Sequence, residues 1–257
     1  MKKSLLCFVL PVRNEEESLA FIITRLKEIS CELMCESKII CVDDSTDRSK
    51  DVAAKNGAIV LDGENQGLGR AMKIGLEYAK VLNADYTISL DTDGQVDLNE
   101  IKIFYEAVKN QGYDLVLASR FKKGHLVDYP YPKGNFFGVK LLSTYLCLAT
   151  KLEISDSHGG IRAMSYKALC AVNIQGRHTY VQESIVSISD SGASLVELPS
   201  HWMKRGHGSS RVVSSKIKYA LRTSPYLFLK APLAFLLTPL VFIYRELNGY
   251  WRERVDI

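Results

Sequence analysis

Asp91 and Asp93 stand one residue apart, and Gly94 and Gln95 follow them directly. The run before them, Tyr86-Thr87-Ile88-Ser89-Leu90, is short, apolar and β-branched, which reads as a buried strand. Such a strand delivers two carboxylates to one spot, and burying carboxylates without a partner is costly. A cation in a cleft is the partner that chemistry suggests. Oxygen donors at this spacing suit Mg²⁺ or Mn²⁺, which keep positions open for the phosphates of a substrate. Taken alone, the same spacing also fits a polar turn after a strand.

The elements that must position these residues follow from periodicity. Strands are predicted at residues 5–10, 38–42, 58–61, 86–90, 115–118 and 194–198. Asn14, with Glu17 three residues on, forms a capping-box pattern for a helix reaching about Ser30, its apolar face made by Leu19, Ile22, Ile23 and Leu26. Residues 68–82 and 98–109 repeat the helical pattern. Strand and helix alternating at this spacing predict an α/β fold, a mostly parallel sheet covered by helices. Ligands of such sheets sit at the carboxyl ends of strands, where both Asp43-Asp44 and Asp91-Thr92-Asp93 fall.

Charge is unevenly placed. Between residues 198 and 245 there is no Asp or Glu, while Lys204, Arg205, Arg211, Lys216, Lys218, Arg222, Lys230 and Arg245 give +8, so the rest of the chain carries −4 of the total +4. Val213, Ile217, Ala220 and Leu221 lie on one face of a basic amphipathic helix, and residues 226–244 are almost wholly apolar. Lys230 interrupts that run, and Pro232 and Pro239 would each remove a helix hydrogen bond. Two short helices in a membrane interface, with basic side chains on anionic head groups, fit better than a straight span. Packing on the globular domain and a dimer interface are the other readings, and a homo-oligomer is compatible with the latter. The expected partner of this tail is an anionic membrane surface and not a nucleic acid.

Cys7, Cys31, Cys35, Cys41, Cys147 and Cys170 show no zinc spacing, and several sit in apolar runs. The N-terminal apolar run is too short for a signal peptide. A reducing cytosolic location is the expectation.

Five more segments accompany the acidic motif. They are Pro11-Val12-Arg13-Asn14-Glu15, Val42-Asp43-Asp44-Ser45-Thr46-Asp47, Asn65-Gln66-Gly67-Leu68-Gly69-Arg70-Ala71, Ser119-Arg120-Phe121, and Asp156 through Gly159-Gly160-Ile161-Arg162. In this order and spacing they closely resemble the family 2 glycosyltransferases with the Rossmann-like GT-A fold, over about residues 4–215. The Asp-Gly-Gln form of the acidic motif resembles the polyprenyl-phosphate sugar transferases within that family. Trp202-Met203-Lys204-Arg205-Gly206-His207-Gly208-Ser209-Ser210-Arg211 resembles their Arg-x-x-Gly-x-Ser-Lys segment.

The resemblance implies roles. Pro11, Arg13 and Glu15 match positions that hold the nucleobase, and Val42 and Asp44 match base and ribose contacts. Asp91, Thr92, Asp93 and Gln95 match the diphosphate and metal site, with Asp93 and Gln95 as ligands of Mg²⁺ or Mn²⁺ and Asp91 as ligand or ribose contact. Arg120, Lys133 and Arg205 match positions for the diphosphate or the acceptor phosphate; Lys133 stands where an arginine is usual and loses bidentate recognition. Glu183 is a general base, an orienter of Arg205, or a plain helix residue. Asp156 and Arg162 match a segment beneath the acceptor side, a structural pair between them being one reading. Gly67-Leu68-Gly69 lacks a third glycine at Met72, so it reads as a tight turn lining the cleft rather than a dinucleotide loop.

The resulting expectation is a metal-dependent inverting glycosyltransferase at the cytoplasmic membrane face. It would move sugar from a GDP- or UDP-linked donor to a polyprenyl phosphate. Residues 1–211 would be catalytic and 212–257 membrane-associating. The alternatives are transfer to a hydroxyl of a lipid-linked or cell-surface glycan, and a nucleotide-sugar-binding protein without turnover.

Overall fold

A computed structural model describes residues 3–124, 126–204 and 216–250. Its core includes strand β1 (Leu5–Val12), whose residues from Leu6 to Leu10 are all buried. Leu6, Phe8, Leu10 and Val12 join one apolar core, while Cys7 and Val9 join another on the opposite face. A strand apolar at every position must be covered on both faces, because successive side chains point to opposite sides.

The covers are helices. One face carries α1 (Leu19–Glu32) and α4 (Ile101–Lys109), whose Leu26, Ile29, Phe104 and Tyr105 are buried against it. The other carries α3 (Leu68–Val81), α6 (Tyr166–Ala171) and α7 (Tyr180–Asp190), with Met72, Leu76, Leu169 and Ile185 inward. At Gly75 of α3 a Cβ would stand 2.4 Å from Val9 Cγ1, so only glycine lets this helix come so close to the sheet.

The remaining strands are β2 (Glu36–Asp43), β3 (Ile59–Asp62), β4 (Tyr86–Leu90), β5 (Leu115–Ser119), β7 (Ile161–Ser165) and β8 (Leu195–Pro199). Their order across the sheet is β3-β2-β1-β4-β7-β5-β8, with β7 antiparallel to both neighbours and the other pairs parallel. A two-stranded ribbon joins β6 (Leu126–Val127) to β9 (His201–Trp202). Helix α2 (Ser49–Lys55) follows β2, and α5 (Lys133–Thr150) precedes β7.

Two sequence expectations change. Asn14 does not cap α1: its backbone has φ 55° and its Oδ1 accepts from Thr46 N at 2.8 Å, while the helix begins at Leu19. The 98–109 segment starts as a 3₁₀ turn, Leu98–Glu100, capped by Asp97, and only then becomes α4.

At the C-terminus, α8 (Lys216–Lys230) and α9 (Pro232–Leu247) meet at Ala231. Among the described residues no single helix is long and apolar enough to cross a membrane; Thr223–Lys230 and α9 form an apolar pair bent by 112°. Pro232 opens α9, where its missing N–H costs nothing, and Pro239 lies inside. Ala234, Thr238 and Phe242 are buried, and the Phe242 ring meets Phe137 of α5 at 4.7 Å. So one face of α9 packs on the globular body. Its other face, Leu233, Leu236, Leu240, Ile243 and Leu247, is exposed. Of the expected basic amphipathic helix, Val213 lies outside the described residues, as do the side chains of Ile217, Ala220 and Leu221.

Candidate active site

The carboxyl ends of β1, β2 and β4 lie side by side. Val12 pairs with Asp43, and β4 enters beside β1 through the Val9–Ser89 register. Polar side chains lace the loops that leave these ends. Ser45 Oγ accepts from Asn14 N, and Ser49 Oγ accepts from Glu15 N, both at 2.8 Å. Glu16 accepts from Arg48 N at 3.0 Å. Thr92 donates to Pro11 O at 3.1 Å, and its own carbonyl accepts from Ser18 Oγ at 3.1 Å. Pro11, Arg13, Glu15, Asp44 and Thr92 are thus on neighbouring loops of one edge. Arg13 is exposed; Pro11 and Glu15 are half-buried.

Two of the nucleotide positions differ from expectation in what they offer. The Val42 side chain is fully buried beneath α3, so its only polar groups are main-chain ones. Asp44 is buried, and its Oδ1 accepts from Asn65 N at 2.8 Å, anchoring the turn before α3. A Cβ at Gly63 would lie 2.3 Å from that oxygen, so glycine is required there. Asp43 Oδ1, by contrast, is buried without a hydrogen-bond partner among the described residues. A buried lone acceptor at a cleft edge is unusual.

Asp91, Asp93 and Gln95 are half-buried on the turn after β4. Asp93 Oδ1 accepts from Gln95 N at 3.1 Å. Gln95 Nε2 lies 3.3 Å from Met203 O and 3.4 Å from Tyr129 Oη, which leaves Oε1 as its remaining group. Met203 N in turn donates to Gln95 O at 2.8 Å. Among the described residues no group of three or more His, Cys, Asp or Glu is placed to hold a metal. Two carboxylates and one amide oxygen nonetheless match a hard cation that takes its other ligands from substrate phosphates and water. Burial raises the Tyr180 hydroxyl's pKa; the Arg162 charge beside it lowers it, and the Asp91 charge raises it further.

Arg120 is buried and forms a two-point ion pair with Asp156, Nε to Oδ2 at 2.7 Å and Nη2 to Oδ1 at 2.8 Å. Nη1 donates to Tyr131 Oη at 3.1 Å, and the guanidinium lies 4.5 Å from the Trp202 ring centre. The partner of Asp156 is therefore Arg120 and not Arg162. Arg162 donates instead to Tyr180 Oη at 2.8 Å and to Gly159 O. Burial pushes the Asp156 carboxyl up, but the Arg120 charge and the hydrogen bonds it receives hold it at about 2.

Glu183 is also buried, and its carboxylate accepts from Gln175 N at 2.7 Å, Gly176 N at 2.9 Å and Thr179 Oγ1. Its oxygens are committed to holding the loop before α7, which does not suit a general base. Lys133 opens α5, but its side chain lies outside the described residues, and Arg205 lies outside them altogether.

The sequence reading missed a buried charge network behind Arg120. Glu197 accepts from Ser155 N at 2.8 Å and from Asp156 N at 3.0 Å, fixing the peptide that carries Asp156. Lys140 Nζ donates to Ser155 O at 2.9 Å and stands 4.2 Å from the Phe121 ring centre. Burial lifts Glu197 to about 6 and lowers Lys140 to about 8. The available signal was a glutamate and a lysine inside apolar strand and helix patterns.

His158 follows from the same network. Its N donates to Asp156 Oδ1 at 2.9 Å, and its ring contacts Ser157 Oγ at 2.7 Å. Burial, then the Arg120 charge, lower it from 6.5 to about 4. The folded state thus binds this proton more weakly than the unfolded one, so stability present above pH 6.5 is lost as pH falls towards 4. The full span is worth on the order of 3 kcal/mol. Glu197 contributes the opposite slope over a smaller shift, between 4.5 and about 6. Thermal melts from pH 7 to pH 4 should show a falling Tm, and His158→Gln should flatten that fall. An unchanged slope in the variant would remove His158 as its source.

The profile of "Glycosyl transferase family 2" matches residues 7–171. The low-salt glycan biosynthesis hexosyltransferase Agl6 of Haloferax volcanii is 29% identical over 193 residues, spanning 75% of this chain but only 46% of that protein. A dolichyl-phosphate hexose transferase of the same organism is 25% identical over 202 residues, 78% of this chain and 83% of that one. Among solved structures, mannosyl-3-phosphoglycerate synthase from Rubrobacter xylanophilus shares the fold at TM-score 0.66 and 17% identity, over 89% of this chain and 74% of that one. Glucosyl-3-phosphoglycerate synthase from Mycobacterium tuberculosis, solved with Mn²⁺ and UDP, does so at TM-score 0.62 and 16% identity, over 90% and 80%.

Proposed function

Because the chain belongs to glycosyl transferase family 2, we propose that it moves a sugar from a nucleotide-diphosphate donor to a polyprenyl phosphate at a membrane surface. The observation that carries this reading is the meeting of the Asp91–Gln95 turn with the laced loops after β1 and β2, all at the carboxyl edge of the sheet. The names of the relatives supply the acceptor class, since one of them acts on dolichyl phosphate.

In this reading Pro11, Arg13, Glu15 and Asp44 frame the nucleoside, and Thr92 fixes the Asp91–Gln95 turn against the Pro11 carbonyl. Asp91, Asp93 and Gln95 would hold Mg²⁺ or Mn²⁺, which when bound neutralises charge on the departing diphosphate. A phosphate oxygen of the acceptor attacks the anomeric carbon on the face opposite the diphosphate. The new carbon–oxygen bond forms as the bond to the diphosphate breaks, giving inversion and a nucleoside diphosphate. A lipid phosphate is anionic at pH 7, so no proton need leave the nucleophile and positioning is the main task. Transfer to a glycan hydroxyl would call for a base, and the committed Glu183 carboxylate speaks against that reading.

The test is transfer of labelled sugar from a panel of UDP- and GDP-sugars into organic-extractable lipid phosphate, with Mg²⁺ or Mn²⁺ present. One productive donor supports the reading. Binding of a nucleotide sugar with no transfer to any lipid phosphate overturns the acceptor. We assign the catalytic work to residues 1–211 and membrane association to 212–257, on the cytoplasmic face, with the exposed side of α9 as the contacting surface. Leu236 and Leu240 are 62% and 68% exposed, so charging them should spare the fold. Leu236→Glu/Leu240→Glu should cut flotation with anionic vesicles by at least about tenfold without lowering Tm, as two acidic side chains oppose interfacial burial. Undiminished flotation would remove α9 from the interface.

A further inference from the structure

Gln95 is the neutral member of the ligand set assigned above to the cation, and a carboxamide has two unlike ends. Its oxygen coordinates a hard cation. Its NH₂ would turn positive hydrogens towards the same charge. The site therefore works only if something decides which end is offered. Two oxygens stand at the nitrogen end, Met203 O at 3.3 Å and Tyr129 Oη at 3.4 Å. A backbone carbonyl can only accept, so Met203 O requires the NH₂ on its own side. The second N–H goes to the Tyr129 hydroxyl, whose oxygen accepts it. With both N–H groups taken, Oε1 has no hydrogen-bond partner among the described residues.

The two acceptors leave the two strands of one ribbon. Strand β6 leads into Tyr129 and β9 into Met203, and the strands pair Leu126 with His201 and Val127 with Trp202. Asp128 N donates to Trp202 O at 2.9 Å, which carries the pairing up to the residue before Tyr129. The ribbon is in turn docked on the body. Val96 bridges to Trp202, and Met203 N donates to Gln95 O at 2.8 Å. The Trp202 ring lies so close to Gly160 that a Cβ there would stand 2.8 Å from Cζ2. Two residues beyond Tyr129, the Tyr131 hydroxyl accepts from Arg120 Nη1 at 3.1 Å, and the two tyrosine ring centres are 6.2 Å apart. Neighbouring hydroxyls of one segment thus serve different groups, Tyr129 the amide of Gln95 and Tyr131 the guanidinium of Arg120.

We propose that Tyr129 is a positioning residue for the cation: its hydroxyl, by accepting an N–H of Gln95, holds the carboxamide so that Oε1 and not NH₂ is offered to Mg²⁺ or Mn²⁺. The inference rests on the reading of Asp91, Asp93 and Gln95 as the cation's ligands and adds an outer partner to it. Outer partners orient a metal ligand and raise its basicity, and their loss typically costs about 10–100-fold in metal affinity. Met203 O remains when Tyr129 is changed, so the effect belongs at the lower end of that range. A half-buried hydroxyl with one long hydrogen bond contributes little to the metal-free fold. Cation affinity and fold stability therefore separate at this residue.

The test uses the full chain and its Tyr129→Phe and Tyr131→Phe variants. Mn²⁺ is titrated against each, alone and with UDP or GDP, and the unbound ion is followed by electron paramagnetic resonance. Tyr129→Phe should raise the Mn²⁺ Kd about tenfold and leave Tm as it was. Tyr131→Phe removes the same atom from the same segment but from the Arg120 side, so its Mn²⁺ Kd should stay within about twofold of the wild type. In transfer assays Tyr129→Phe should need about tenfold more Mn²⁺ for half-maximal rate and regain most of its kcat at saturating Mn²⁺. An unchanged Mn²⁺ Kd in a folded Tyr129→Phe protein overturns the proposal. Equal weakening in both variants also overturns it, because the segment as a whole and not the Tyr129 hydroxyl would then be responsible. A wild-type chain that binds no Mn²⁺ with either nucleoside diphosphate would overturn the cation site itself, and this inference with it.

Discussion

Asp93→Ala should lower transfer by about 10²–10³-fold or more, the scale on which charge-stabilising groups act at a reaction centre, and should leave the protein folded. The side chain sits on a half-buried turn outside the strand that precedes it. Its hydrogen bond to Gln95 N, 3.1 Å long, is worth about 1 kcal/mol at most sites. The core beneath, Ile88 and Leu90 of β4, does not depend on it. The proposed chemical role is therefore separable from the structural one. Mn²⁺ binding in the presence of a nucleoside diphosphate, followed by electron paramagnetic resonance, gives a readout independent of turnover. A folded Asp93→Ala protein that binds Mn²⁺ and transfers sugar like the wild type would sink the assignment.

The sheet was legible because its strands are short, bounded and apolar. The predicted 86–90 strand matches β4 to the residue, and β1 extends the predicted run by two residues to Val12. Strand β7 escaped because Arg162 is the second residue of Ile161–Ser165 and breaks the apolar pattern. Only the fold supplies the Tyr180 hydroxyl and Gly159 carbonyl that make a buried guanidinium tolerable there. Asn14 misled for a related reason. Its short amide can close a helix or a turn, and Thr46, distant in sequence, decides for the turn.

The site was legible to the degree that its chemistry is local. The Asp91–Gln95 turn is contiguous, so spacing suffices. The partner of Arg120 is 36 residues away, and neither periodicity nor composition encodes that pairing. For Glu183 the sequence leaves three readings open, a base, an orienter of Arg205 and a plain helix residue. An acidic residue in the first turn of a helix is first of all a group that satisfies nearby N–H donors, and here it does so for the loop behind it.

The largest loss of stability should come from Asp156→Ala. The Asp156 carboxylate is buried and bound by the Arg120 backbone and guanidinium and by His158 N. Its removal strands a buried guanidinium, and breaking such a pair from one side typically costs about 3–5 kcal/mol. Arg120→Met strands the carboxylate instead and should cost a similar amount. Removing both should cost less than the sum, because neither buried charge is then left without its partner. Urea unfolding of the two single variants and the double variant closes this cycle. A coupling below about 0.5 kcal/mol would mean that the pair does not hold the site together. The cycle also bears on catalysis. A guanidinium has five N–H groups, and among the described residues Asp156 and Tyr131 engage three of them, which leaves two for a phosphate. If Arg120 acts on substrate as well as on Asp156, a stable double variant keeps its fold and loses turnover. If it serves only the fold, the double variant keeps both.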